Sequence, residues 1–337
     1  MGVSADEIVD AADIEDAYRR IEGVVHRTPL DTSSTFASLS GAEAVGLKLE
    51  TMQRTGSFKI RGAYNKLSQL DEAAKARGVI ASSAGNHAQG VALAGDLLDI
   101  ETTIVVPEMT PRSKIRATES YGAEVLVEGD IYERSYEFAL EYAEEHELTF
   151  VHPFNDEAII SGQGTVGTEL LDQWPDLDTV IVPIGGGGLI SGIATAAKAS
   201  REDMQVIGVQ PDGAAHAKPS LENGEIHELA DVDTIADGIA DTRLLEKTFA
   251  VIRERVDDVV VVSDAEIEMA MALLAERSKV VAEPAGATPI AALLSEAFDA
   301  DGRSVAAVIS GGNVDLADFG DMIRNGQREF EETRHGA

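Results

Sequence analysis

Thr-Val-Ile-Val-Pro-Ile-Gly-Gly-Gly-Gly-Leu-Ile, residues 179–190, is the stretch that determines the fold class of this chain. A Val/Ile-rich run is followed by four consecutive glycines, and an apolar helical pattern starts at Leu189. A strand that passes through a glycine turn into a helix is the repeating unit of parallel α/β proteins. The segment therefore predicts an α/β fold in which strand Thr179–Pro183 is covered on both faces of its sheet.

The same alternation of β-rich and helical runs continues along the chain. The other predicted strands are Val45–Leu49, Gly78–Ala81, Glu101–Val106, Glu124–Val127, Val206–Val209, Val259–Val262 and Val305–Ile309. The predicted helices include Asp71–Arg77, Ala88–Leu97, Tyr132–His146, Leu189–Ser200 and Asp264–Arg277, the last with Asp264 as its N-cap. Residues 324–337 are predicted to form a frayed helix and tail.

The glycine run Gly185, Gly186, Gly187, Gly188 has the properties of an anion site. Backbone N–H groups converge at such a turn, the helix dipole favours negative charge, and no Cβ blocks the approach of a ligand. No Lys-Ser/Thr pair follows as in a Walker A loop, and Gln210 ends the next strand where a dinucleotide site needs an acid. The run therefore predicts a phosphate site without a nucleotide; the alternative is a glycine turn that binds nothing.

A second informative stretch is Thr-Gly-Ser-Phe-Lys-Ile-Arg-Gly-Ala, residues 55–63. Lys59 stands between the large apolar residues Phe58 and Ile60 at a predicted helix start. Burial disfavours the ammonium form, so such an amine loses its proton more readily and becomes a nucleophile. This is what a Schiff base to an aldehyde cofactor or a carbonyl substrate requires. The alternative is an ordinary surface lysine.

Two more loops follow predicted strands. Ser82-Ser83-Ala84-Gly85-Asn86-His87 offers hydroxyl and backbone donors to a substrate carboxylate, and Asn86 has an amide that could donate to a phenolate oxygen. Ser310 ends a strand, at the position where ligands bind in open α/β sheets. His87 alone is weak evidence for catalysis, and no pair of histidines has metal-ligand spacing. The lysine, the glycine run and the two loops together offer partners for the aldehyde, the phosphate and the ring of pyridoxal 5′-phosphate and for the carboxylate of a bound amino acid.

Composition limits the partners and the location of the protein. The 337 residues include 60 acidic and 27 basic ones, a net charge of −33, and only nine bases are lysines. Such a surface repels nucleic acid and membranes, so neither is an expected partner. A chain without cysteine, signal-peptide pattern or membrane-length apolar run is expected to be cytoplasmic. The acid excess favours a halophilic archaeon as the source, and an acidic mesophilic protein is the alternative.

Several motifs, in the same order, resemble the fold type II pyridoxal-phosphate enzymes, and the serine/threonine dehydratases in particular. The resemblance extends from about Val24 to Asn313 and so covers nearly the whole chain. It rests on the segments 28–30 (Thr-Pro-Leu), 48–50 (Lys-Leu-Glu), 57–63 (Ser-Phe-Lys-Ile-Arg-Gly-Ala), 83–90 (Ser-Ala-Gly-Asn-His-Ala-Gln-Gly), 185–188, 283–287 (Glu-Pro-Ala-Gly-Ala) and 310–313 (Ser-Gly-Gly-Asn).

The resemblance implies a role for each matching residue. Lys59 would carry the cofactor as a Schiff base and, once released, remove the substrate α-proton, with Phe58 packed beside the ring. The other implied contacts are Gly185, Gly186, Gly187 and Gly188 with the phosphate, Asn86 with the 3′-oxygen, Ser310 with the pyridine nitrogen, and Ser83, Ala84, Gly85, Asn86 and His87 with the substrate carboxylate. A serine at the pyridine nitrogen makes the ring a weaker electron sink than an aspartate does, which favours β-elimination over transamination.

Three departures narrow the expected reaction. The racemases of this family carry a second serine where this chain has Ala84, so the second proton donor is missing. Gln210 and His216 stand where the racemase metal site has carboxylates, so we expect no metal ion. The chain length leaves no room for the regulatory domain of long threonine dehydratases, so feedback by isoleucine through such a domain is not expected.

The sequence thus predicts a threonine ammonia-lyase that converts L-threonine to 2-oxobutanoate and ammonia, with L-serine to pyruvate as a side activity. The alternatives are a serine or aspartate racemase, a β-replacement synthase, and a phosphate- or metabolite-binding protein without catalysis. The expected architecture has two open parallel-sheet α/β domains, residues 1–66 with 153–337 and the inserted residues 67–152, and the cofactor between them. We also expect a homo-oligomer, a dimer or tetramer, and a role in isoleucine biosynthesis.

Overall fold

The computed structural model of the protein describes residues 3–295 and 297–336, and in them two separate β-sheets. The six-stranded sheet has the order β1-β2-β10-β7-β8-β9 and the four-stranded sheet the order β5-β4-β3-β6. The strands are β1 (Leu30–Thr32), β2 (Ala44–Leu49), β3 (Val79–Ser82), β4 (Thr102–Val106), β5 (Glu124–Val127), β6 (Thr149–Phe150), β7 (Thr179–Pro183), β8 (Gln205–Pro211), β9 (Asp258–Val262) and β10 (Ser304–Ile309).

Helices alternate with these strands along the chain. They are α1 (Ala5–Ile8), α2 (Ala11–Ile21), α3 (Ser34–Ser40), α4 (Lys59–Ser68), α5 (Glu72–Arg77), α6 (Asn86–Leu98), α7 (Arg112–Glu119), α8 (Tyr132–Glu145), α9 (Glu157–Gln173), α10 (Gly188–Ser200), α11 (Ala217–Asn223), α12 (Glu246–Arg255), α13 (Asp264–Leu273), α14 (Pro284–Leu294) and α15 (Leu316–Gly336). The α/β fold class is confirmed. Among the described residues, no helix is both long and apolar enough to cross a bilayer.

Strand pairing confirms the parallel prediction, except at one edge. Adjacent strands are parallel in both sheets, but β1 pairs with β2 in antiparallel fashion. All eight predicted strands are present with small shifts at their ends. Strands β1 and β6 were not predicted, because their three and two residues are too few for a periodic pattern.

The helix predictions need two corrections. The N-cap of α13 is Ser263, not Asp264, because the Ser263 hydroxyl accepts the backbone N–H of Glu266 while the Glu266 carboxylate accepts from Ser263. The predicted helix to Arg277 continues after Leu273 as a π-helical turn, Leu274–Ser278. At the end of the chain the predicted frayed helix is the last part of α15, and position 337 lies outside the described residues.

Packing and pairing of the strands place the loops that were predicted to bind a ligand. Two apolar clusters include strand residues of the six-stranded sheet, and a third, containing Ile60 and Val79, includes those of the four-stranded sheet. Strands β7 and β10 are parallel neighbours, so their carboxyl ends lie side by side. The glycine run after β7 and Ser310 after β10 are therefore adjacent in space, at the strand ends where open α/β sheets bind ligands.

Candidate active site

The predicted motifs, far apart in sequence, meet at one place. The backbone N–H of Phe58 donates to the carbonyl of Ser310 over 3.1 Å. The Asn313 side chain donates to the carbonyl of Thr55 over 2.7 Å and to Asn86 Oδ1 over 2.8 Å. The lysine segment, the Ser83–His87 loop and the turn after β10 therefore form one connected wall.

Lys59 is the first residue of α4 and is only partly exposed. Its Nζ donates to the carbonyl of Pro153 over 3.0 Å and lies 5.3 Å from the centre of the Phe58 ring. Burial lowers the pKa of Lys59 to about 8, although the charges of Asp241 and Glu283 act to raise it. Half of these amines are uncharged at that pH, which gives the residue the nucleophilic form that the sequence predicted.

The two apolar neighbours of Lys59 in the chain account for only part of its desolvation. Ile60 is fully buried and packs in the core of the four-stranded sheet, whereas the Phe58 ring lies beside the amine. Successive side chains of a helix point about 100° apart, so flanking residues seldom cover the same atom. The rest of the desolvation of Lys59 comes from residues that the tertiary structure places around its amine.

Three positions of the glycine run, Gly186, Gly187 and Gly188, have no room or no suitable backbone conformation for another residue. A Cβ on Gly186 would lie 2.2 Å from Cδ1 of Phe154, and one on Gly188 would lie 2.9 Å from Cβ of the same residue. Gly187 has a φ of +89°, in the left-handed region that favours glycine. Helix α10 begins at Gly188, so the run ends at a helix N-terminus with free backbone donors. This geometry suits a phosphate group.

Glu283 is a site residue to which the sequence analysis gave no role. Its Oε1 accepts a hydrogen bond from Asn86 Nδ2 over 2.7 Å, and a Cβ on Gly311 would lie 2.3 Å from that oxygen. Burial raises the pKa of Glu283 to about 8, and the hydrogen bond from Asn86 opposes this rise. The available signal was its place in the Glu-Pro-Ala-Gly-Ala segment. That signal is weak, because an acid before a helix-starting proline is also common as a simple cap.

The Ser83–His87 loop leads into α6, as predicted. The Ser83 hydroxyl accepts the backbone N–H of Gly85 over 3.2 Å, which shapes the turn before the helix. His87 is buried, and its Nε2 lies 2.9 Å from the carbonyl of Val151. Burial, together with the charge of Lys59, lowers the pKa of His87 to about 3. His87 is therefore a neutral hydrogen-bonding residue rather than a proton donor.

Asp241 is the other residue that the sequence analysis missed. It follows the 3₁₀ turn Asp237–Ile239, and its Oδ2 lies 2.5 Å from the position that a Cβ on Gly185 would take. Burial raises the pKa of its carboxyl group, while the charge of Lys59 acts to lower it. No short sequence pattern marks this aspartate, which reaches the glycine run through the tertiary fold.

A buried cluster of charged residues lies below the site. Arg61 donates to both oxygens of Glu50 over 2.8 Å, and to the two oxygens of Glu169 over 2.7 and 3.0 Å. Lys48 Nζ donates to Glu169 over 2.5 Å. These four side chains are at most 2% exposed. Arg61 is two residues beyond Lys59, so the cluster anchors the start of α4.

Gln210 and His216 stand in the segment that was compared with the racemase metal site. Gln210 Oε1 accepts the backbone N–H of Ala217 over 2.7 Å, and Gln210 Nε2 donates to the carbonyl of Ile184 over 3.3 Å. His216 is fully buried and neither of its ring nitrogens has a protein partner. Within residues 3–295 and 297–336, no group of three or more His, Cys, Asp or Glu side chains has the arrangement of a metal site.

Comparison with known proteins identifies the family. Residues 21–311 match the family model described as pyridoxal-phosphate dependent enzyme. The chain belongs to this family. It is 45% identical over 331 residues to an L-threonine ammonia-lyase of Thermotoga maritima, covering 97% of this chain and 82% of the relative. It is also 45% identical over 322 residues to a catabolic L-threonine dehydratase of Staphylococcus aureus, covering 95% of this chain and 93% of that protein.

Solved structures agree with this assignment. The structure of maize serine racemase superimposes with a TM-score of 0.90 at 39% identity, covering 98% of this chain and 99% of that one. The residues present fit the cofactor: the cradle at Gly186 and Gly188 has no room for a Cβ, and Lys59 offers a largely desolvated amine. The buried Ser57 hydroxyl and His87 Nδ1 have no protein partner.

Proposed function

We propose that this chain is a pyridoxal-phosphate dependent threonine ammonia-lyase, which converts L-threonine to 2-oxobutanoate and ammonia and L-serine to pyruvate. Three observations carry the proposal: a largely desolvated Lys59, a glycine run that suits a phosphate, and a separate loop, Ser83–His87, that has Ala84 where a second proton donor would be needed. The names of the Thermotoga and Staphylococcus relatives support the same reaction.

Each site residue has a proposed task. The glycines Gly185–Gly188 bind the cofactor phosphate through backbone N–H groups, Asn86 donates to its 3′-oxygen, and Ser310 contacts its pyridine nitrogen. Phe58 packs beside the ring. When bound, the cofactor withdraws electrons from the substrate α-carbon and so makes the α-proton acidic.

Lys59 has two tasks in this proposal. Its amine bonds the cofactor aldehyde between turnovers, and the released amine accepts the α-proton of the substrate. A pKa of about 8 suits both, because a general base works best when its pKa lies near the pH of the reaction. The substrate carboxylate binds the loop of Ser83, Ala84, Gly85, Asn86 and His87, where backbone donors precede α6.

A serine or aspartate racemase is the second candidate, and the likeness to the maize enzyme favours it. Racemisation needs a second acid that returns a proton to the opposite face of the α-carbon. Ala84 has a methyl group in the carboxylate loop and donates no proton. Elimination therefore remains the preferred reaction.

The decisive experiment compares keto-acid release from L-threonine, L-serine and 3-hydroxyaspartate with chiral analysis of the recovered serine. We expect 2-oxobutanoate and pyruvate without enantiomer exchange; fast exchange without keto acid would instead establish a racemase. Borohydride trapping should label Lys59, and Lys59→Ala should abolish the label and the activity. Lys66→Ala, on the same helix, is the matched control. Protein without a trappable adduct would be a binding protein.

We further propose that residues 67–152 form a smaller domain inserted between residues 1–66 and 153–337, with the cofactor in the cleft. The two separate sheets support this division, because β3, β4, β5 and β6 all fall in the inserted segment. A dimer or tetramer, which size-exclusion chromatography with light scattering would test, completes the proposed architecture.

The net charge of −33 supports a halophilic, archaeal source and a cytoplasmic location. Mutual repulsion of the acids should destabilise the protein in dilute buffer and be screened in molar salt. Full stability in dilute buffer would contradict this proposal. Supply of 2-oxobutanoate for isoleucine biosynthesis is the proposed role, although the Staphylococcus relative is named catabolic.

A further inference from the structure

The side chain of Gln210 joins the end of strand β8 to the start of the glycine run. Gln210 lies near the carboxyl end of β8 and is fully buried. Its Nε2 donates to the carbonyl of Ile184 over 3.3 Å, and its Oε1 accepts the backbone N–H of Ala217 over 2.7 Å. Both polar atoms of this buried amide therefore bond backbone groups, and one of those groups directly precedes Gly185.

The bond to Ile184 fixes a peptide group of the predicted phosphate site. The carbonyl of Ile184 and the N–H of Gly185 belong to the same peptide group, which is planar and trans, so the two bonds point in opposite directions. The N–H of Ile184 is itself held by the carbonyl of Val209 over 2.9 Å. Because both polar backbone atoms of Ile184 are bonded, the N–H of Gly185 has a fixed orientation at the entry of the glycine run.

Burial makes this orientation depend on the amide of Gln210. Ile184 and Gln210 are both 0% exposed, so bulk water does not reach the carbonyl. Without the amide donor a buried carbonyl would lack a partner, which favours rotation of its peptide group toward another donor. Glycine has little resistance to such a rotation. The N–H of Gly185 would turn with the carbonyl and lose its aim.

The bond to Ala217 holds the amide in the required orientation. Ala217 begins α11, and its N–H is one of the donors that a helix N-terminus leaves free. An N–H needs an oxygen and a carbonyl needs a donor, so the two partners together suit an amide at position 210. A carboxylate there has no hydrogen to donate and would repel the carbonyl of Ile184 unless it bound a proton or a cation. The neutral amide needs neither.

We propose that Gln210 is a positioning residue that aims the N–H of Gly185 at the cofactor phosphate, through the carbonyl of Ile184 and without a metal ion. This inference rests on the proposed role of the glycine run as the phosphate site. Gln210 acts only through the backbone. It keeps the glycine run in the form that accepts the phosphate, so that binding does not have to order the loop first.

The test compares pyridoxal 5′-phosphate with pyridoxal, which has the same aldehyde and ring but no phosphate. Absorbance titration of the full-length protein, freed of cofactor, gives a dissociation constant for each compound. Gln210→Met removes the donor and the acceptor and keeps the length of the side chain. We expect the dissociation constant of pyridoxal 5′-phosphate to rise by about 10- to 100-fold and that of pyridoxal by less than about threefold.

A matched control and a spectroscopic measurement separate this role from general damage to the fold. Gln205→Met changes the same residue type at the other end of β8, where Gln205 Oε1 accepts from Arg303, and it should alter neither dissociation constant. In the holoenzyme, phosphorus-31 NMR should show a displaced cofactor resonance in Gln210→Met and an unchanged one in Gln205→Met. A chelator should leave the cofactor affinity of the wild type unchanged.

Gln210→Glu provides a second variant whose hydrogen bonding depends on pH. A protonated carboxyl group can donate to Ile184 and accept from Ala217, as the amide does, whereas a carboxylate cannot donate. Burial favours the protonated form at low pH. The affinity of Gln210→Glu for pyridoxal 5′-phosphate, relative to the wild type at the same pH, should therefore be higher at about pH 6 than at about pH 9. This comparison decides the question if Gln210→Met does not fold.

Equal losses of affinity for pyridoxal 5′-phosphate and pyridoxal, or no loss for either, would overturn the role of Gln210. Weaker cofactor binding by the wild type in chelator would overturn its independence from a metal ion. An unchanged affinity of Gly186→Ala for pyridoxal 5′-phosphate would instead overturn the glycine run as the phosphate site. Wild-type holoenzyme that releases no keto acid would overturn the lyase reaction alone. The failures are therefore distinguishable.

Discussion

Replacement of Arg61 by methionine tests the energetic role of the buried charged cluster. In the native protein two cations, Lys48 and Arg61, neutralise two anions, Glu50 and Glu169, in the interior. Without Arg61 two carboxylates remain with one amine, a net buried charge of about −1 in a medium of low dielectric constant. Burial alone would raise the pKa of Glu50, but the charge and hydrogen bonds of Arg61 hold it below its usual value.

The expected cost follows from this imbalance. Removing one partner of a buried ion pair typically destabilises a protein by about 3–5 kcal/mol, out of a total of about 5–15 kcal/mol. The urea midpoint of Arg61→Met should therefore fall by a large part of its wild-type value, measured by circular dichroism on both proteins at neutral pH.

Two controls make the prediction decisive. Arg19→Met removes an arginine whose partners Glu15 and Asp16 are more than half exposed, so it should cost at most about 1 kcal/mol. Arg61→Met combined with Glu50→Gln restores neutrality in the interior and should recover part of the loss. If Arg61→Met lowers the midpoint no more than Arg19→Met does, the charge argument is wrong.

Three further predictions concern the site. The pKa of Glu283 is about 8 in the folded protein, compared with an ordinary value of 4.5. Its stabilising contribution is therefore fully present at low pH and is lost as the pH rises through about 8. Glu283→Gln should gain more stability at about pH 8.5 than at about pH 5, and equal gains in urea unfolding at the two pH values would contradict this. Gly186→Ala puts a Cβ against Phe154 and should weaken cofactor binding roughly tenfold or more by equilibrium absorbance, whereas Gly320→Ala on α15 should not. The rate of cofactor attachment to apoprotein, followed by stopped-flow absorbance, should rise with pH around about 8 as Lys59 loses its proton, and a midpoint near 10.5 would refute its desolvation.

Much of the fold was predictable because its signals are local. Val/Ile runs covered on both faces, such as β7 and β10, are apolar without alternation, and glycine turns follow their ends. Most of the eight strands were predicted for this reason. The short strands β1 and β6 were not, because their existence depends on a neighbouring strand rather than on their own sequence.

The candidate site was predictable to a similar extent. The lysine, the glycine run, Asn86 and Ser310 stand in recognisable segments, and the structure brings these segments together. Asp241 was missed, because an isolated acid in a chain with 60 acidic residues carries no signal, and Glu283 stood in the Glu-Pro-Ala-Gly-Ala segment but was given no role. Their raised pKa values depend on burial by segments that lie far away in sequence.

By itself, then, the sequence determined the α/β class, the glycine run, the lysine segment and the alanine at position 84, because each depends on residue type and local order. Only the tertiary structure decided why Lys59 loses its proton, which acids surround it and how Arg61 is neutralised. Desolvation and pairing of charges depend on distance in space. Ile60, the next residue in the chain, packs in the core of the four-stranded sheet, while distant residues such as Asp241 reach the site.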